Sequence, residues 1–334
     1  GLLPVKLTFA GAADTVTGSR YLLDSGGRQI LLDCGLFQGF KKLRDRNWAA
    51  FPMPPREIDR VVLSHAHLDH SGYLPALVRD GFRGQIVATE ATRELCEILL
   101  RDSARLQEEE ADFANRHGYS KHAPARPLYT TEDAERALAR FVAVGFDRDF
   151  DLGEGIVGRF LPAGHLLGAS IVRLQHGRRT LVFSGDLGRP HDLVMRPPRT
   201  VEAADTLIVE STYGDRDHGS EDPESVLGRV IRETAARGGT VLIPSFAVGR
   251  AQTLLYALYR LKQREEIPEI PVFLDSPMAV DATRLYRRFE HDHRLTHEQC
   301  VGMYRAAQLV TTPAESKRLS TLRGPLVIIS ASGM

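Results

Sequence analysis

The stretch VVLSHAHLDHSG, residues 61–72, places three histidines and an aspartate within six positions, directly behind an apolar run. IDRVVLS reads as a short buried strand that ends in this cluster. Residues two apart on an extended chain point the same way, so His65 and His67 can grip one ion. Asp69 and His70 lie further along the turn and can face a second ion. Imidazole nitrogens suit zinc, and a carboxylate adds charge and can share ions. The competing reading is a polar loop with unrelated histidines. The density of the pattern HxHxDH argues against it.

Two later positions fit the same picture. His165 in FLPAGHLLGAS follows a strand and is flanked by Gly164. Asp186 in TLVFSGDLGR ends an apolar strand beside Gly185. Alone, each reads equally well as a loop histidine and a turn carboxylate. With the cluster, both become candidate ligands, and Asp186 is the candidate to bridge two ions because a carboxylate has two oxygens. Asp33 in LLDCG also ends a strand, and an orienting role behind a ligand suits it.

The chain of 334 residues, 43% hydrophobic and 26% charged, is that of a globular protein of one large or two medium domains. Its net formal charge of zero argues against a protein that coats nucleic acid non-specifically, but leaves room for a local basic groove. Cys34, Cys96 and Cys300 form no CxxC and imply a reducing compartment without a disulfide framework. No apolar run reaches the length of a membrane span, so no membrane partner is expected. The expected location is the cytoplasm.

From the cluster outward, the first 200 residues alternate short strands with a few helices. VKLTFA is a strand, and RYLLD and QILLDCG form a hairpin around SGGR. GYLPALVRDG is a helix, QIVAT a strand, and residues 91–118 a long helix with Leu95, Ile98, Leu99 and Leu106 at helical spacing. TEDAERALARFVAV reads as a helix with Thr131 as N-cap. GIVGRFLPAG, SIVRLQHG and RTLVFSGD are three more strands. This pattern predicts an α/β chain with a sheet-on-sheet core and helices outside. Near residue 206 the pattern changes. TLIVEST, TVLIPSF and PVFLDS are strands separated by helices, which indicates parallel βαβ units. The boundary is placed within PPRTVEAAD, giving domains 1–206 and 207–334. The chain closes on PLVIISASGM, an apolar strand running into a glycine turn.

These motifs, in this order, resemble the metallo-β-lactamase superfamily. The opening GAADTVTGSRYLL and the segments PLYTTEDAE, IVESTYGDR, PSFAVGRAQ and FLDSPMA are similar to the β-CASP ribonucleases within it, so the likeness covers nearly the whole chain. The resemblance implies an αββα sandwich carrying an inserted β-CASP α/β domain of parallel strands. It implies a dinuclear zinc site in which His65, His67 and His165 hold one ion, Asp69 and His70 the other, and Asp186 bridges. Glu210, in IVEST, would orient a partner histidine. The family brings that histidine and the last ligand of the second zinc on a segment expected after SASGM, so the resemblance is to a C-terminally truncated member.

The activity implied is hydrolysis of phosphodiester bonds in single-stranded RNA. Two zinc ions roughly 3.5–4 Å apart clamp the attacking and leaving oxygens and bring the pKa of water to about 7. Asp69, Glu210 and Asp33 are the catalytic candidates. Ser245 and Arg250 in PSFAVGRAQ are candidate RNA phosphate contacts at a helix start. RLYRRFEHDHR (284–294) mixes its charges and reads as a solvated face. RNA is the expected partner, with a homodimer left open. A small-molecule thioester or ester hydrolase, a DNA nuclease and a non-catalytic subunit of the same fold are the alternatives.

Overall fold

The computed structural model describes residues 5–332. The chain divides into two compact units. One comprises the residues up to Gly164 with Gly168–Leu187 and Pro198–Glu210. The other comprises His165–Leu167, Gly188–Pro197 and the residues from Ser211 onward.

Among the described residues, the first unit contains two sheets. The six-stranded sheet runs in sequence order: β1 (Val5–Phe9), β2 (Tyr21–Ser25), β3 (Arg28–Leu32), β4 (Arg60–Val62), β5 (Gln85–Ala88) and β6 (Phe141–Ala143). β1 to β3 are antiparallel, and β3 to β6 are parallel. The second sheet holds β7 (Asp149–Gly153), β8 (Ile156–Pro162), β9 (Ser170–His176), β10 (Arg179–Phe183) and β11 (Thr206–Ile208), in the order β11-β10-β9-β8-β7.

Period-two patterning explains how the sheets meet. Tyr21, Leu23, Ile30, Leu32, Val62 and Val87 of the first sheet join Phe150, Phe160, Val172, Leu174 and Phe183 of the second in one buried cluster. The Tyr21 and Phe183 rings lie 5.2 Å apart across it. Each such buried side chain contributes roughly 1.5–3 kcal/mol. The alternate residues Leu31, Val61 and Ile86 are equally buried. The parallel strands are therefore covered on both faces, as their crossover helices Leu74–Arg79 and Glu90–His117 require. The outer face of the second sheet is wet at Asp149, Asp151 and Gln175.

The second unit has a four-stranded sheet of β12 (Thr240–Phe246), β13 (Val272–Asp275), β14 (Gln308–Val310) and β15 (Leu326–Ser332), ordered β12-β15-β13-β14. All its pairings are parallel, as the alternation of strands and helices predicts. The glycine turn expected after β15 falls on residues 333–334, outside the described residues.

Several local expectations are corrected. The helix expected over 131–144 ends at Leu138, and 141–143 become edge strand β6 beside β5. Its N-cap is Thr130 rather than Thr131, because only Thr130 has an acid three residues on to close a capping box with Asp133. TLIVEST contributes only β11, which pairs parallel with β10 rather than joining the β12–β15 sheet. Leu106 keeps helical spacing but is exposed, since its helix outruns the core. Within 284–294, expected as a solvated face, Tyr286 and His293 are buried.

Candidate metal centre

Asp33, the 64–70 turn and Asp186 leave the ends of β3, β4 and β10 at one rim of the first unit. The parallel register Leu32↔Val62 sends Asp33 and Ser64 out side by side. Ser170, at the start of β9, donates both its N–H (2.8 Å) and its hydroxyl (2.9 Å) to the Ser64 carbonyl. That pair of bonds ties the rims of the two sheets together.

Asp33 is the organising group. It is fully buried, with backbone in the left-handed region (φ 58°) that aspartate tolerates better than most residues. One carboxylate oxygen accepts the Ser64 N–H at 2.8 Å. The other accepts the Ser19 and Ser64 hydroxyls, both at 2.9 Å, and lies 2.6 Å from His70 Nδ1. A carboxylate cannot donate, so Nδ1 carries a proton, and Nε2 is the atom that would offer a lone pair once the ring gives up its second proton to a bound metal.

Nε2 faces carboxylates. His70 Nε2 is 3.3 Å from Asp186 Oδ1 and 3.5 Å from Asp69 Oδ2, and His65 Nε2 is 3.8 Å from Asp186 Oδ2. Burial opposes a charge on His70, but Asp69, Asp186 and Asp33 outweigh it and hold its pKa well above the usual imidazole value. Excess negative potential of this kind is what a bound cation would neutralise.

Two donor groups emerge. Ligand atoms of His65, His67 and His165 lie within 4.8 Å of one another, and so do those of His65, His70 and Asp186. Zinc bonds of about 2.0–2.2 Å in a tetrahedron set donor separations of roughly 3.4 Å, so groups this tight fit an ion with small adjustment. All donors are imidazole nitrogens or carboxylate oxygens, a set suited to a divalent transition metal. The Cys34 thiol beside Asp33 is pushed by burial to about 12 and is no thiolate ligand here.

The first group contains the three histidines expected for one ion. His165 is at the tip of the β8–β9 loop, in the three residues grouped with the second unit. The second group differs from the set implied by the resemblance. It contains His65 and Asp186 with His70, while Asp69 stands beside it, 3.5 Å from His70 Nε2.

Two glycines make the approach close enough. A Cβ on Gly35 would fall 1.6 Å from the Asp69 carbonyl oxygen. Gly185 has φ 53°, and a Cβ there would fall 2.6 Å from Ser64 Cβ, so only glycine lets Asp186 reach the His65 side.

Glu210 follows β11. Its carboxylate accepts the Leu187 N–H at 3.0 Å and its own N–H donates to Ser184 Oγ at 3.0 Å, which clasps the two sides of the Asp186 loop. Ser245 donates its hydroxyl to the Phe246 carbonyl at 2.9 Å. Arg250 is exposed at the first position of the helix Arg250–Gln263, whose N-terminal Gly249 N–H is satisfied by Gln252. Both residues belong to the second unit and are not among the metal-site donors. A surface cavity of about 360 Å³ lined by Val78, Arg79, Arg83, Arg136, Ala139 and Arg140 also contains none of those donors.

Sequence reasoning missed Ser19, Ser64 and Ser170. The signal was present for two of them: Ser64 directly precedes the first histidine of the cluster, and Ser19 closes the VTGS opening.

Residues 14–241 match the metallo-beta-lactamase superfamily and residues 251–334 the Beta-Casp domain. The chain is 41% identical over 332 residues to "Ribonuclease TTHA0252" of Thermus thermophilus, covering 97% of this chain and 72% of that protein. It is 30% identical over 350 residues to "Transcription termination factor FttA" of Methanocaldococcus jannaschii, covering 99% of this chain and 52% of that protein. The chain thus spans about half the length of the second relative. A crystal structure of a protein of unknown function from Enterococcus faecalis V583 matches with TM-score 0.53 at 16% identity, over 99% of this chain and 77% of that one. That likeness concerns the fold alone.

Proposed function

We propose, for a chain that belongs to the metallo-beta-lactamase superfamily and carries its Beta-Casp domain, that it is a zinc-dependent ribonuclease acting on phosphodiester bonds of single-stranded RNA. The observation that carries the reading is the pair of donor groups sharing His65. His65 can serve only one ion, so with His67 and His165 holding it, the second group offers a further ion His70 and Asp186, with Asp69 beside them. The ribonuclease named among its relatives directs that site to RNA.

His65, His67 and His165 are the proposed ligands of one zinc, and His70, Asp186 and Asp69 those of the other. Bound metal of this kind supplies Lewis acidity and an acidified water at neutral pH. The remaining work belongs to the chain. Asp33 fixes the tautomer of His70 and balances its charge. Asp69, largely buried but still reachable by solvent beside His70, is placed to accept a proton or a hydrogen bond from water. Glu210 holds the Asp186 loop through the Leu187 N–H. Ser245 and Arg250 are proposed phosphate contacts within the second unit.

The domain division proposed with this function is 1–206 and 207–334. No helix among the described residues is long and apolar enough to cross a membrane. A cytoplasmic location completes the proposal, with a homodimer left open. The discriminating experiment offers labelled single-stranded RNA, single-stranded DNA and a thioester to the zinc-supplemented protein. Preferential RNA cleavage supports the reading, and faster thioester hydrolysis defeats it.

A further inference from the structure

GFKKLRDRNW, residues 39–48, sits outside every role assigned so far. Lys41, Lys42, Arg44 and Arg46 put four cations in six positions against one anion, Asp45. All four are exposed. Some exposed arginines elsewhere are neutralised, as Arg101 is by Glu135, Arg105 by Asp102 and Glu109, and Arg199 by Asp147. Among the described residues, none of these four cations forms an ion pair. Arg44 instead bonds the Gly39 carbonyl at 3.0 Å, and Arg46 lies 4.2 Å over the Phe37 ring.

Two large aromatics bracket the cations. Phe40 is 85% exposed and Trp48, the one tryptophan in the chain, is 61% exposed. Burial would stabilise each by a few kcal/mol, so the fold forgoes that gain at two neighbouring places.

The segment is held firmly. Buried Asn47 accepts the Phe37 N–H at 2.9 Å and donates to the Phe37 carbonyl at 2.8 Å, closing the loop at its base. Arg20, enclosed by Phe37, Phe51 and Tyr73, also bonds Asn47 at 3.3 Å. The chain leading into the segment runs past the metal centre. Cys34 N–H bonds the His70 carbonyl at 2.8 Å and Leu36 N–H the Leu68 carbonyl at 2.9 Å. Phe40 is four residues beyond Leu36, so it lies within about 14 Å of that contact, the reach of an extended chain.

We propose that residues 39–48 form a docking platform for single-stranded RNA, its bases stacking on Phe40 and Trp48 and its phosphates paired with Lys41, Lys42, Arg44 and Arg46. Unpaired cations interleaved with exposed aromatic faces fit a flexible polyanion with unstacked bases. An anionic membrane or an acidic peptide would use the charge but has no need of two stacking faces. The proposal rests on the RNA reading of the metal centre and extends it to how the strand is held.

The test uses zinc-supplemented His67→Ala protein, so that RNA stays intact, and a labelled oligouridine with duplex RNA, phosphatidylserine vesicles and polyglutamate as comparators. Oligouridine is expected to quench Trp48 emission and to bind more tightly than any comparator. Lys41→Glu/Lys42→Glu should lower the slope of log affinity against log salt by about 1.4, about 0.7 for each single-strand phosphate contact. Phe40→Ala/Trp48→Ala should weaken binding at least about tenfold with an unchanged circular dichroism spectrum. Unaltered affinity and salt slope in both variants, tighter binding of vesicles or polyglutamate, or no RNA binding at all overturns the proposal. RNA cleavage by the protein with His67 intact is scored separately. Binding without cleavage removes the ribonuclease reading and leaves the platform, and cleavage without loss in the platform variants does the reverse.

Discussion

Replacing Asp33 with asparagine isolates the charge that supports the metal centre while keeping its shape. Four donors converge on the two Asp33 oxygens: the Ser64 N–H on one, and Ser19 Oγ, Ser64 Oγ and His70 Nδ1 on the other. An asparagine NH2 must displace one oxygen. If it faces Ser64 N–H, two donors oppose each other at 2.8 Å. If it faces His70, the 2.6 Å bond breaks unless His70 moves its proton to Nε2, which removes a ligand atom. Either way a buried charge-assisted bond is lost, at about 1.5–3 kcal/mol. Loss of a group that orients a ligand lowers metal affinity by about 10–100-fold, which is about 1.4–2.8 kcal/mol and so matches that bond. Zinc affinity measured by chelator competition, with circular dichroism to establish folding, should show this drop for Asp33→Asn. A folded Asp33→Asn protein that binds zinc as tightly as the parent would refute the argument that Asp33 acts through His70.

Further outcomes follow from single contacts. Gly185→Ala should lower the melting temperature and the zinc affinity together, because its Cβ would sit 2.6 Å from Ser64 Cβ at φ 53° and strain a left-handed backbone by about 1 kcal/mol before the clash. Glu210→Gln keeps an oxygen for the Leu187 N–H and should hold zinc affinity within about threefold, whereas Glu210→Ala releases the Asp186 loop and should lower it by about tenfold in the same titration. The Cys34 and Cys96 thiols, both pushed to about 12 by burial, carry about one thiolate in ten thousand at pH 8. A thiol reagent should label them only after denaturant, and rapid labelling of the native protein would contradict their burial.

The candidate donors could be picked out in the sequence because they follow strand ends at short, rigid spacings. His65 and His67 needed only the alternation of an extended chain. The grouping of His65 with His70 and Asp186 was not legible, because it depends on how β4 and β10 approach across two sheets. Asp33 was read as an orienting group, yet its serine partners were overlooked, since one serine carries little signal without knowledge of who faces it. FVAV was taken into a helix because a four-residue apolar run has no period of its own. Pairing with β5 decided it. His293 looked like one charge among several in 284–294. It is buried, with Nε2 2.7 Å from the Tyr286 carbonyl, because the chain leaves the helix there and turns inward.

The central claim is that the histidine–aspartate cluster hydrolyses RNA through bound metal. Its most direct test is the rate at which zinc-supplemented protein cuts an end-labelled single-stranded RNA, compared with His67→Ala prepared identically. The account predicts cleavage that a chelator abolishes, zinc restores, and His67→Ala lacks. His67→Ala protein cleaving as fast as the parent, or cleavage indifferent to the chelator, would contradict it.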